Sequence, residues 1–161
     1  MESKFSFLCF LSCLFAFTNA GFAQQGKYIS VELAGSGGFG SFNYEHPILC
    51  KQTVTLNMRY GFSMAPIDKQ NGTNLIFPIL LHGLIGRRAH QLDLAIGQAI
   101  SITTKGSFFL SAPLACGYRY QPANKRFFIR LSYTPILSYL IDVQWQHWAG
   151  ITYGFKLNQK K

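Results

Sequence analysis

The chain of 161 residues is 48% hydrophobic and 16% aromatic, yet only 13% of it is charged, with a formal net charge of +9. Whole soluble domains average roughly 25% charged residues, so this composition does not suit a surface that meets water on all sides. The length suits one domain, and 15 glycines with 15 phenylalanines among so few charges exclude a disordered chain or a coiled coil.

The chain opens with a short segment carrying Lys4, an apolar run from Phe5 to Phe17, and small residues at Ala20, Gly21 and Ala23. This order predicts a secretory signal peptide over residues 1–23, cleaved after Ala23, followed by one barrel domain over 24–161. A membrane anchor would need about 20 apolar residues. Cys9 and Cys13 leave with the signal, and Cys50 and Cys116 remain. Two cysteines so far apart make neither a disulfide framework nor a zinc site, and are read as small hydrophobes. An exported chain meets no cellular nucleic acid, so the partners expected for its positive charge are lipid phosphates.

From Tyr28 onward the residues alternate with a period of two, the signature of strands. Tyr28 to Ala34 sets Ile29, Val31 and Leu33 against Ser30 and Glu32, and Gly35-Ser36-Gly37-Gly38 then predicts a tight turn. Gly40 to His46 sets Phe42 and Tyr44 against Ser41, Asn43 and Glu45. Thr53 to Met64 is the most regular strand, with Val54, Leu56, Met58, Tyr60 and Phe62 opposed to Thr55, Asn57, Arg59, Gly61 and Ser63. Asn74 to Leu84 is almost wholly apolar and contains Pro78, so its faces are not assigned by alternation. Gln91 to Thr103 alternates again, broken only at Gln98. Phe108 to Tyr120, Arg126 to Tyr139 and Trp148 to Leu157 complete eight strands, with turn residues between them. The sequon Asn71-Gly72-Thr73 is most simply one of those turns.

Alternation does not say which face is inside; composition does. The polar parity is mainly Gly, Ala, Ser and Thr with isolated charges, which suits a crowded lumen better than a solvent face. The apolar parity is large and aromatic, as a lipid-facing band requires. The expected fold is therefore an all-β, eight-stranded antiparallel up-and-down transmembrane β-barrel with a lumen filled by side chains.

Three segments also resemble a family. Glu32 to Glu45 (ELAGSGGFGSFNYE), Pro78 to Gly97 (PILLHGLIGRRAHQLDLAIG), and Gly117 to Pro122 (GYRYQP) with Phe127 to Pro135 (FFIRLSYTP) are similar to stretches of small outer-membrane β-barrel proteins of Bacteroidota-type bacteria. The resemblance implies a Gram-negative outer-membrane barrel and brings no established activity or catalytic residues. The chain departs from such barrels after Phe155, where Lys156-Leu157-Asn158-Gln159-Lys160-Lys161 extends beyond the aromatic residue with which they often end.

An eight-stranded barrel has an interior just wide enough for side chains to fill it. The face assignment points Glu32, Glu45, Arg59, Asp93, Arg119 and Arg130 inward, with His82 beside them. Buried carboxylates and guanidiniums must pair, so this set is expected to form a structural plug rather than a gated ion path. The histidines His46, His82, His90 and His147 share no clear site with a serine, and His147 is expected in the last surface loop with Trp145 and Trp148. No catalytic, cofactor-binding or metal-binding residues are assigned, and no cofactor is expected. The expected role is structural or surface interaction, by a monomer in contact with outer-membrane lipids, lipopolysaccharide and the insertion machinery. A lipid-modifying enzyme working by acyl transfer or deacylation is the second reading, and a soluble periplasmic lipid-binding barrel the third. Loops this short are not expected to form a deep site.

Overall fold

The computed structural model describes residues 26–68, 72–87, 89–139 and 143–157. The expected signal segment 1–23 lies outside them, as do Arg88 and the turn residues Lys69 to Asn71 and Asp142. Eight strands run in chain order: β1 (Tyr28–Leu33), β2 (Gly40–Cys50), β3 (Val54–Asp68), β4 (Gly72–Arg87), β5 (His90–Thr103), β6 (Phe108–Tyr120), β7 (Phe127–Ser138) and β8 (Gln144–Lys156). Each pairs antiparallel with its sequence neighbours, and β8 returns to β1, with Tyr28 opposite Lys156 and Leu33 opposite Ile151. The sheet is thus a closed up-and-down barrel with no free edge, as the alternation predicts.

The wall is built with its polar side inward. Along β7, Phe128, Arg130, Ser132, Thr134 and Ile136 are buried, while Ile129, Leu131 and Tyr133 are exposed between them. The same alternation runs through β1, β3 and β5. Gln98, which breaks the apolar parity of β5, stays on the outer face and donates a hydrogen bond to the Tyr139 hydroxyl at 2.9 Å. Cys50 is buried and Cys116 exposed, and no disulfide joins them.

Three stretches differ from the expectation. β2 runs on past His46 to Cys50, through a bulge between Pro47 and Leu49 that inserts one extra residue and returns Cys50 to the inner face. β4 is longer than the apolar run suggested, and its faces are fixed by its neighbours: Ile76, Pro78, Leu80, His82 and Leu84 share the inward side with Ser63, Asn57 and Asp93 across the ladders. β8 begins at Gln144, so His147 lies on a strand and not in the last surface loop. Its ring is exposed and stacks on Tyr133 across the β7–β8 ladder, at 6.0 Å and 7° between planes. Gln144 and Gln146, on the same strand, line the mouth of the lumen.

The turn between β1 and β2 shows why the glycine cluster is there. Ala34, Gly35 and Gly38 have φ of 57°, 90° and 76°, in the left-handed region that glycine enters without steric cost. That turn folds over the lumen and buries Ser36 inside it.

Candidate functional site

The seven lumen residues named from the sequence come one from each of seven consecutive strands: Glu32 from β1, Glu45 from β2, Arg59 from β3, His82 from β4, Asp93 from β5, Arg119 from β6 and Arg130 from β7. Each is at most 1% exposed. Period-two alternation aims each of them inward, and barrel closure brings them together in the lumen.

Arg59 and Glu32 face each other as two forks. Nη2 donates to Oε2 at 2.7 Å and Nη1 to Oε1 at 3.3 Å, the bidentate geometry that binds a guanidinium to a carboxylate most firmly. Ser36, brought in by the β1–β2 turn, donates to Glu32 Oε2 at 3.0 Å and accepts from Arg59. Arg130 reaches Glu32 Oε1 at 3.4 Å and Asp93 Oδ2 at 3.2 Å, linking two carboxylates. Thr152 of β8 joins the same group, accepting from Arg130 at 3.0 Å and donating to Glu32 at 3.3 Å. His82 Nδ1 lies 2.7 Å from Asp93 Oδ1. Nearer the other end, Glu45 accepts from Arg119 and from Asn57 Nδ2, the latter at 2.6 Å.

Arg119 and Arg130 are direct partners across the β6–β7 ladder, a juxtaposition that like charges resist. The network resolves it by sending them apart, Arg130 toward Glu32 and Asp93, Arg119 toward Glu45. Arg119 also lies 3.7 Å above the Phe128 ring, and Phe128 meets Tyr28 edge-on at 5.5 Å. Phe128 fits inside the wall because its neighbour on β8 is Gly154, where a Cβ would run into the ring. Gln121 closes this end, accepting from Arg119 Nε at 3.0 Å and donating to the Tyr28 hydroxyl at 2.6 Å.

The sequence reading names the charged members and misses Ser36, Asn57, Tyr28, Gln121, Phe128 and Thr152. Asn57, Phe128 and Thr152 lie on the inward parity and are findable by it. Ser36 and Gln121 sit in turns, where alternation carries no information.

Above the plug the barrel opens into a vestibule of about 570 Å³, contrary to the expectation that short loops leave no deep site. Strands make most of it: Asn74, Ser101, Ser111, Ser138, Gln144 and Gln146 line it from five different strands, and the β1–β2 turn adds Ser36, Gly38 and Phe39. Phe39 and Trp148 meet edge-on across its lip at 5.7 Å.

The histidines outside the lumen lie on the outer wall beside tyrosines. His46 stacks on Tyr60 at 5.8 Å, His90 contacts Tyr118 and Tyr120, and His147 contacts Tyr133. Among the described residues no serine hydroxyl bonds to a histidine, and His82, the histidine paired with a carboxylate, is sealed inside the plug. No group of three or more His, Cys, Asp or Glu side chains stands close enough to hold a metal ion among the described residues. The chain matches no protein-family model and no curated protein.

Proposed function

We propose that the chain is a small, plugged outer-membrane β-barrel with a structural or surface-interaction role, monomeric and in contact with outer-membrane lipids. The observation that carries this reading is the inversion of the wall. Phe42, Ile96 and Leu131 are 70%, 61% and 62% exposed on the outside, while three arginines and three carboxylates are sealed within. A water-soluble barrel gains its stability the other way round, by burying apolar side chains and solvating charges. Lipid reverses both preferences, and the closed ladder leaves no strand edge facing it. The ring contacts of His90 with Tyr118 and Tyr120, at the ends of β5 and β6, suit the aromatic girdles of such barrels. The resemblance of three segments to Bacteroidota-type outer-membrane proteins agrees with the same reading.

A soluble lipid carrier needs an apolar, open lumen, and an acyl-transfer site needs a nucleophile beside an oriented base. Neither arrangement is present among the described residues. Fractionation of a Gram-negative host tests the proposal. The protein should sediment with the outer membrane, need detergent for release, and migrate faster on a gel unheated than boiled. Release into the soluble periplasmic fraction without detergent overturns it.

A further inference from the structure

The vestibule is a cavity that the plug does not use, and its chemistry is selective. Its described lining holds no charged side chain. An ion would therefore leave water without a counter-charge. A hydrocarbon would fare no better, because Asn74, Ser101, Ser111, Ser138, Gln144 and Gln146 would face it with hydroxyl and amide groups left unpaired. The Asn74 side-chain carbonyl is already buried with no hydrogen-bond partner. An extended peptide is usually held by adding a strand to a sheet edge, and this barrel has none.

An uncharged ligand rich in hydroxyls, with one apolar face, satisfies every wall. Amides and hydroxyls both donate and accept, which matches hydroxyl groups whatever their orientation. The half-buried Trp148 and the exposed Phe39 offer aromatic surface, and Ile76, Leu110 and Ile136 add apolar lining. The volume, about 570 Å³, lies inside the range of small-molecule sites, about 300–1,000 Å³. We infer that the vestibule is a binding site for a neutral saccharide, one or two sugar rings deep, with Asn74 as the central polar contact and Trp148 as the stacking platform. This goes beyond the membrane reading and does not depend on it, because the vestibule belongs to the barrel in either solvent.

The test uses Trp148 as its own reporter. In a Trp145→Phe variant it is the remaining tryptophan, since the chain has two. The full-length mature protein, refolded in a zwitterionic detergent without sugar headgroups, is titrated with glucose, N-acetylglucosamine, maltose and chitobiose. Glucuronate and an end-blocked triglycine serve as the charged and peptide comparators. At least one neutral sugar should shift the Trp148 emission saturably, and neither comparator should. Asn74→Leu should weaken that response by at least about tenfold, and the double variant Ser111→Ala with Ser138→Ala should weaken it independently should Asn74→Leu fold poorly. The inference is overturned if no neutral sugar saturates up to its solubility limit, if a comparator binds instead, or if the folded variants respond like the parent.

Discussion

Arg59 spends both of its terminal nitrogens on Glu32 and shares one of them with Ser36, all out of contact with water. The energetic consequence is asymmetric. Taking two charges out of water is costly, and their attraction roughly offsets that cost. Removing one partner keeps the cost and loses the attraction. Arg59→Ala should therefore lower unfolding stability by about 3–5 kcal/mol in a urea titration. Tyr60→Leu, one residue away on the outer wall, should change it by less than about 0.5 kcal/mol. Replacing both partners, Arg59→Met with Glu32→Leu, should cost less than Arg59→Ala alone, because no stranded carboxylate is left in the lumen. Equal small losses for Arg59→Ala and Tyr60→Leu would mean that the plug carries no stability.

The strands differ in how firmly they are held. β1 has six residues, the shortest of the eight, whereas β4 has sixteen. The two ladders of β1, to β2 and to β8, are therefore the shortest, at six residue pairs each, and Thr152, hydrogen-bonded to Glu32 and Arg130, ties β8 to the plug. Amide hydrogen exchange should be faster at Val31 and Tyr153 than at Leu81 and Ile96 of the β4–β5 ladder. Uniform protection around the barrel would contradict this ranking. The same strands explain how much of the fold is legible in the sequence. Where one face is small or polar and the other apolar, as in β3 and β7, alternation assigns both the strand and its lumen residues. It fails in β4, where Ile76, Leu80 and Leu84 face inward without a polar label, so only the pairing with β3 and β5 tells the faces apart. It fails again at the β2 bulge, which shifts parity by one residue. At the start of β8 the sequence reading places His147, with Trp145 and Trp148, in a loop, whereas the strand begins at Gln144. The vestibule itself is written in no segment, because residues from six strands and the β1–β2 turn meet there only when the sheet closes.

On the scale of the whole molecule the lumen charges cancel in sign, leaving the net positive charge to the rims and termini. Among the described residues Lys27, Lys51, Lys125, Arg126 and Lys156 stand at the end where β1 begins and β8 finishes, and Lys105 at the vestibule end. Exported barrels with an even strand count keep both termini and their short turns in the periplasm. The basic rim would then face the inner leaflet and the vestibule the cell surface. In a background with Cys50→Ala and Cys116→Ala, a membrane-impermeant thiol reagent on intact cells should label Lys105→Cys and spare Ala89→Cys. The reverse pattern would mean insertion in the opposite direction. Both the orientation and the role of the plug depend on what surrounds the apolar wall, and that can be measured directly. Single tryptophans placed at Ile96 and Leu131, in a chain with Trp145→Phe and Trp148→Phe, can be refolded into vesicles of brominated phosphatidylcholine. The inverted wall predicts strong bromine quenching at both positions, and tryptophans that stay unquenched on a protein remaining in the aqueous supernatant would contradict it.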